Sequence, residues 1–184
     1  MSNQSSNSDA PRLLYEGQFL RLLRNGRWEY VQRVRANGAV FIVAVTNNNE
    51  IVLVEQYRIP LQRRVVELPA GIIGDEAGFE NESAESSGAR ELEEETGFRP
   101  ARVQKIFTGP TAPGMTSELL HFVLATGLER VHQGGGVDGE NITVHTVSLA
   151  DADGWLAAQE RLGLLVEPRV FAGLRFAERH RSQP

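Results

Sequence analysis

The chain has 184 residues, of which 41% are hydrophobic and 23% charged, a formal net charge of −5 and no cysteine. That length suits one domain with one well-buried core. Disulfides and thiolate metal sites are excluded, and the acidic balance gives no electrostatic footprint for long nucleic acid, although a few local arginines could hold a small phosphate ligand.

The opening MSNQSSNSDAP has neither the basic nor the apolar segment of a leader peptide, and no later stretch approaches the roughly 18 apolar residues of a membrane span. The sequence therefore predicts a cytoplasmic, soluble protein with a disordered tail over residues 1–12. FLRLLRNGRWEYVQRV predicts a hairpin within residues 17–34, turning at Asn25-Gly26 because both positions accept positive φ. AVFIVAV (39–45) and IVLVEQY (51–57) are rich in β-branched residues and predict a second, more buried strand pair joined through TNNNE. Shorter strands are expected around residues 65–68, 103–107, 119–125 and 142–148.

Three helices are predicted. The first has Ser83 as N-cap, runs to Thr96 and ends at Gly97 in the left-handed conformation. The second starts at about Asp151 and carries Trp155 and Leu156; the third opens with Pro168 near its first turn and continues through RVFAGLRFAERH. Strands and helices mix without regular β-α alternation or internal repeat, which points to an α+β, mixed-sheet sandwich.

GARELEEETGF (88–98) concentrates Glu91, Glu93, Glu94 and Glu95 on one predicted helix. Like charges three and four residues apart weaken a helix by a few tenths of a kcal/mol per pair, so something must compensate them. At 100° per residue Glu91, Glu94 and Glu95 share one sector while Ala89 and Leu92 turn away. Such a set of oxygen donors suits a hard divalent cation. A solvated acidic face is the plain alternative. His121, His132 and His145 lack the tight spacing of a zinc motif.

Residue order adds a further signal. Glu82-x7-Arg90-Glu91-Leu92-x-Glu94-Glu95-x-Gly97-Phe98 resembles the Nudix box, Gly-x5-Glu-x7-Arg-Glu-U-x-Glu-Glu-x-Gly-U, where U is a bulky apolar residue. Every position from Glu82 onward matches. If Gly71 of ELPAG is the opening glycine, IIGDEAGFEN holds an insertion of five; the strict alternative, position 76, is a glutamate. Gly71 is preferred, because VELPAG is a common phrase of the family and a longer surface loop costs little.

The resemblance implies a Nudix fold, a mixed β-sheet sandwiched between helices, as a catalytic domain over residues 39–184. An N-terminal antiparallel β-hairpin region over residues 13–38 would lie in dimer contact. It also implies Mg²⁺, with Mn²⁺ as substitute, held by Glu91, Glu95 and the backbone carbonyl of Ala70. Glu94 would be a further ligand or the holder of a water in the metal's shell, and Arg90 would pair with Glu82 to orient the carboxylates.

VEQYRIP (54–60), VELPAG, Pro113 sixteen residues beyond Gly97, and GENITVHTV (139–147) resemble one branch, the ADP-ribose pyrophosphatases and nucleoside diphosphate sugar hydrolases. On that resemblance the substrate is a small nucleotide sugar, the products are a nucleoside monophosphate and a sugar phosphate, and the enzyme is a homodimer with no nucleic-acid or membrane partner. Arg58 would contact phosphate or ribose, its alternative being an ordinary ion pair; Glu67 and Pro113 would lie on the substrate side, and Arg63 and Arg64 would assist or be solvated. Glu140, after the glycine-rich QGGGVDG loop, would be the general base, with Glu118 as runner-up. Trp28 would stack on the base or serve in packing. The competing readings are a Nudix hydrolase of nucleoside triphosphates or dinucleoside polyphosphates, and a sensor that binds without turnover.

Overall fold

The computed structural model describes residues 10–36, 38–75, 78–137 and 139–181, so residues 1–9 of the expected tail lie outside it. Strands β1 (Arg12–Glu16), β2 (Leu20–Asn25) and β3 (Trp28–Arg33) form an antiparallel N-terminal sheet in the order β1-β2-β3. The expected hairpin is present, but its turn sits one residue later. Asn25 pairs with Trp28, leaving Gly26 and Arg27 as the loop, and only Gly26 has positive φ, at 57°. A glycine at the first central position is the type II′ solution, so Asn25 is free to stay in the strand.

Strands β4 (Ala39–Ala44) and β5 (Glu50–Arg58) are not the strand pair that their spacing suggested. β4 lies in a sheet ordered β7-β4-β9-β8, with β7 at Ala70–Ile72, β8 at Phe98–Pro110 and β9 at Leu119–Arg130; β5 lies in another ordered β10-β5-β6-β11, with β6 at Arg63–Glu67, β10 at Thr143–Ser148 and β11 at Leu165–Val166. Only an isolated bridge, Val45 with Ile51, joins the two runs near the turn. The reason is their composition: all six residues of β4 and Ile51 to Val54 are buried. A run that is apolar on both faces belongs at the centre of a sheet, and each takes the middle of its own. Both sheets are mixed, since β4 runs parallel to β9 and β6 parallel to β11.

The alternation along β4 separates two cores. Val40, Ile42 and Ala44 join Leu92, Phe98 and Val123 beneath helix α1 (Ala84–Thr96), whereas Phe41 and Val43 join Leu53, Leu68, Phe122, Leu156 and Val170 beneath helices α2 (Ala152–Arg161) and α3 (Arg169–Arg181). Gly88 allows α1 its close approach, because a Cβ there would stand 2.8 Å from Val123 Cγ2. Among the described residues no helix is long and apolar enough to cross a membrane.

Both ends of α1 form as the sequence implied. Ser83 Oγ accepts from Ser86 N at 3.1 Å, and Gly97, at φ 74°, donates its N–H to Glu93 O at 2.8 Å. The N-terminal sheet is tied to the rest by Val31 N donating to Met115 O at 2.9 Å and by the Arg33–Glu118 ion pair, so it abuts the loop that follows β8.

Candidate active site

Helix α1 presents its acidic sector to a cleft of about 880 Å³ between the two mixed sheets and the N-terminal sheet. Every glutamate of the run is compensated. Glu93, on the outer side, takes two hydrogen bonds from Arg99 at 2.9 and 2.7 Å. Arg90 stands 3.1 Å from each of Glu82, Glu91 and Glu94. Glu95 is buried and accepts from Ala70 N at 3.1 Å. Burial, and then the nearby charges of Glu91 and Glu140, hold the Glu95 carboxyl well above the ordinary 4.5, while the Ala70 N–H and Arg58 oppose this.

Gly71 sits directly against this group. A Cβ there would overlap the carboxyl carbon and Oε1 of Glu91, so the strand β7 backbone reaches the carboxylate only because residue 71 has no side chain. This close approach supports Gly71 as the first glycine of the box; Glu76 lies outside the described residues.

The donors suit a hard divalent cation: three carboxylates on one helix sector, the Ala70 backbone against Glu95, and an electrostatic strain on Glu95 that a cation would relieve. Among the described residues, though, no three carboxylate or imidazole groups converge on a common point as they stand. Arg90 and the Ala70 N–H hold the carboxylates instead.

Across the cleft, Arg58 forks onto buried Glu67, its Nε donating at 2.9 and 3.1 Å. Donation to the Glu67 carboxylate raises the Arg58 pKa against burial, and the charges of Glu67, Glu95 and Glu140 add to the effect. Arg58 is thus both an ion pair and a wall of the cleft. Glu140 lines the cleft too, with Val137 N donating to its Oε2 at 3.2 Å. Its glycine-rich loop is docked on the end of α1: Gly135 N and Gly136 N donate to the carbonyls of Glu95 and Glu94 at 2.8 and 3.2 Å. These carbonyls have no partner within the helix.

The remaining candidates divide. Glu118 lines the cleft, bound by Arg33. Pro113 is exposed in a loop whose neighbours Ala112 and Met115 form the wall, and it does not itself line the cleft. Glu82 and Arg90 stand behind the carboxylates. Trp28 is 58% exposed and lies outside the cleft wall. Arg64 is committed to Glu55, with Thr143 Oγ1 accepting at 3.3 Å, and does not line the cleft.

Two arginines escaped the sequence reading. Arg33 reaches the cleft from β3, and nothing local marks it. Arg169 lies 4.3 Å over the Phe41 ring and donates to Glu167 Oε1 at 2.6 Å. A cation in the first turn of a helix opposes the macrodipole, and that anomaly was a usable signal.

Comparison with known proteins gives the family. The NUDIX domain model matches residues 36–164. A methanol dehydrogenase activator of Bacillus methanolicus is 36% identical over 149 residues, covering 81% of this chain and 74% of the relative. An ADP-ribose pyrophosphatase of Bacillus subtilis is 39% identical over 131 residues, covering 71% and 68%, and a GDP-mannose pyrophosphatase of an Enterobacter species is 31% identical, covering 64% and 63%. A crystal structure of an ADP compounds hydrolase has the same fold, with a TM-score of 0.66, 20% identity and 92% of each chain covered. Box, fold and relatives together identify the chain as a member of the Nudix hydrolase family.

Proposed function

We propose that this Nudix hydrolase cleaves the diphosphate of ADP-ribose or a nucleoside diphosphate sugar, with Mg²⁺ or Mn²⁺, to a nucleoside monophosphate and a sugar phosphate. The observation that carries the reading is the gathering on one cleft of the Glu91–Glu94–Glu95 sector and Arg58, with Glu140 on the same wall within electrostatic reach of both Glu95 and Arg58. The Bacillus subtilis and Enterobacter relatives, by their names, support substrates of this class.

A divalent cation held by Glu91, Glu94, Glu95 and the Ala70 carbonyl would neutralise the diphosphate and make a water nucleophilic near neutral pH. The chain's own groups do the rest. Arg58, kept in a fixed plane by Glu67, presents its remaining N–H groups to phosphate oxygens. Glu140 accepts the proton of the attacking water, and Glu118 is held by Arg33 and lines the substrate side. Trp28 offers an exposed indole for a base supplied from outside its own cleft, or for packing against a second copy.

Exposed Leu13, Tyr15, Phe19 and Trp28 make the N-terminal sheet an apolar surface. Their burial in a homodimer, with residues 13–38 at the contact and 39–184 as the catalytic unit, fits this surface. A cytoplasmic, soluble enzyme is part of the same reading.

The test is release of phosphatase-sensitive product from ADP-ribose, GDP-mannose, UDP-glucose, NAD, ATP and diadenosine polyphosphates, with and without Mg²⁺. Metal-dependent cleavage confined to the sugar diphosphates is expected. Cleavage of ATP or the dinucleoside polyphosphates alone would favour that other class. Binding of ADP-ribose without turnover of any compound would make the chain a sensor.

A further inference from the structure

The five-residue insertion after Gly71 leaves an aromatic ring beside the box. Phe79, within the inserted loop, stands 5.0 Å from the guanidinium carbon of Arg90, measured to its ring centre. The chain turns tightly around it: Glu82 N donates to Phe79 O at 3.0 Å, and Gly78 N donates to Glu80 Oε2 at 3.1 Å. Phe79 is 41% exposed and belongs to neither hydrophobic core. Core packing therefore does not account for its position.

Arg90 is the shared counter-ion of Glu82, Glu91 and Glu94, each at 3.1 Å. Those three contacts have different futures once a cation arrives. Glu91 and Glu94 must turn toward the metal, while Glu82, only 4% exposed and behind the cleft, keeps its place. A guanidinium that follows Glu91 and Glu94 would put a positive charge beside the cation it should help to seat. A ring face on the guanidinium opposes that movement, since a cation over an aromatic face is attracted to it.

From this geometry we infer that Phe79 is a positioning residue, which holds the Arg90 guanidinium against Glu82 so that Glu91 and Glu94 are released to a divalent cation. The inference rests on the proposed metal-binding role of the box helix. It assigns a role in metal binding to the insertion, the one part of the motif that departs from the family spacing.

The experiment is Mn²⁺ binding without substrate, followed by the electron paramagnetic resonance signal of free Mn²⁺, on the full chain and on Phe79→Ala, Phe79→Leu and Phe79→Tyr. Thermal unfolding is recorded in parallel. The expected result is an affinity roughly two- to five-fold weaker in the Ala and Leu variants and restored in the Tyr variant, with melting temperatures unchanged. Hydrolysis should show the same order in the Mg²⁺ concentration needed for half-activation, with little change in kcat at saturating Mg²⁺. Equal Mn²⁺ affinity in wild type and Phe79→Ala, or full recovery by Leu, would overturn the role of the ring while leaving the metal site standing. No Mn²⁺ binding by the wild type would overturn both.

Discussion

Replacing Gly71 with alanine tests the first position of the box with one methyl group. The backbone tolerates it, because Gly71 is not among the residues with positive φ. The added Cβ falls on the carboxyl carbon and Oε1 of Glu91, so that carboxylate must retreat by roughly 1 Å or more to regain the ~3.5 Å at which carbon atoms pack. The displaced atoms are the end of a flexible side chain, which moves at small cost, and the stability change should be about 1 kcal/mol or less. Function is less tolerant, since metal ligands hold their distances within about 0.2 Å and misplacement by about 1 Å can cost on the order of 10²-fold in rate. Initial rates of ADP-ribose hydrolysis against Mg²⁺ concentration, beside thermal unfolding, measure both. Gly71→Ala should fold like the wild type and lose about 10²-fold in metal-dependent kcat/KM. A variant with undiminished activity would refute the argument that Gly71 opens the box and that Glu91 binds metal.

Glu140→Gln should lose about 10²-fold or more in kcat with Mn²⁺ affinity nearly unchanged if Glu140 is the base; full activity would remove it from the mechanism and move attention to Glu118. Glu95 gives a pH prediction. Its folded-state pKa is raised, so above the ordinary 4.5 the unfolded chain has released a proton that the metal-free folded chain still holds. Stability therefore falls as pH rises from there toward the raised value. Glu95→Gln cannot ionise, so in EDTA its denaturant stability relative to wild type should be greater at pH 7 than at pH 5, and its metal-dependent activity should be lost; an equal difference at both pH values would contradict the assignment. Trp28→Ala should weaken ADP-ribose binding without changing the sedimentation of a dimer if the indole stacks on the base, whereas dissociation would assign it to packing.

Much of the site was legible because helical chemistry is local. The Ser83 cap, the Gly97 stop and the sector of Glu91, Glu94 and Glu95 follow from residue type and the 100° repeat, and the box spacing named the family. The same logic misjudged β4 and β5. A β-branched run announces a strand but not its neighbour, and pairing is decided by which faces are buried once all strands compete. The turn at Gly26 shifted for a related reason: register is set by the paired strands as well as by the turn residues.

The sequence by itself determined the three helices, most of the longer strands and the acidic helix face, since these depend mainly on nearby residues, whereas the short strands β1, β7 and β11 went unanticipated. The Arg90–Glu82 pair was expected from the box, but the tertiary structure decided the other charge partners. Arg90 divides itself among Glu82, Glu91 and Glu94, Arg99 takes Glu93, Arg33 reaches Glu118 from a different sheet, and Arg169 comes to rest on Phe41. Long side chains select partners by burial and distance after the sheets have packed, and the Arg33–Glu118 and Arg169–Phe41 contacts join residues far apart in the chain, beyond the reach of any local pattern.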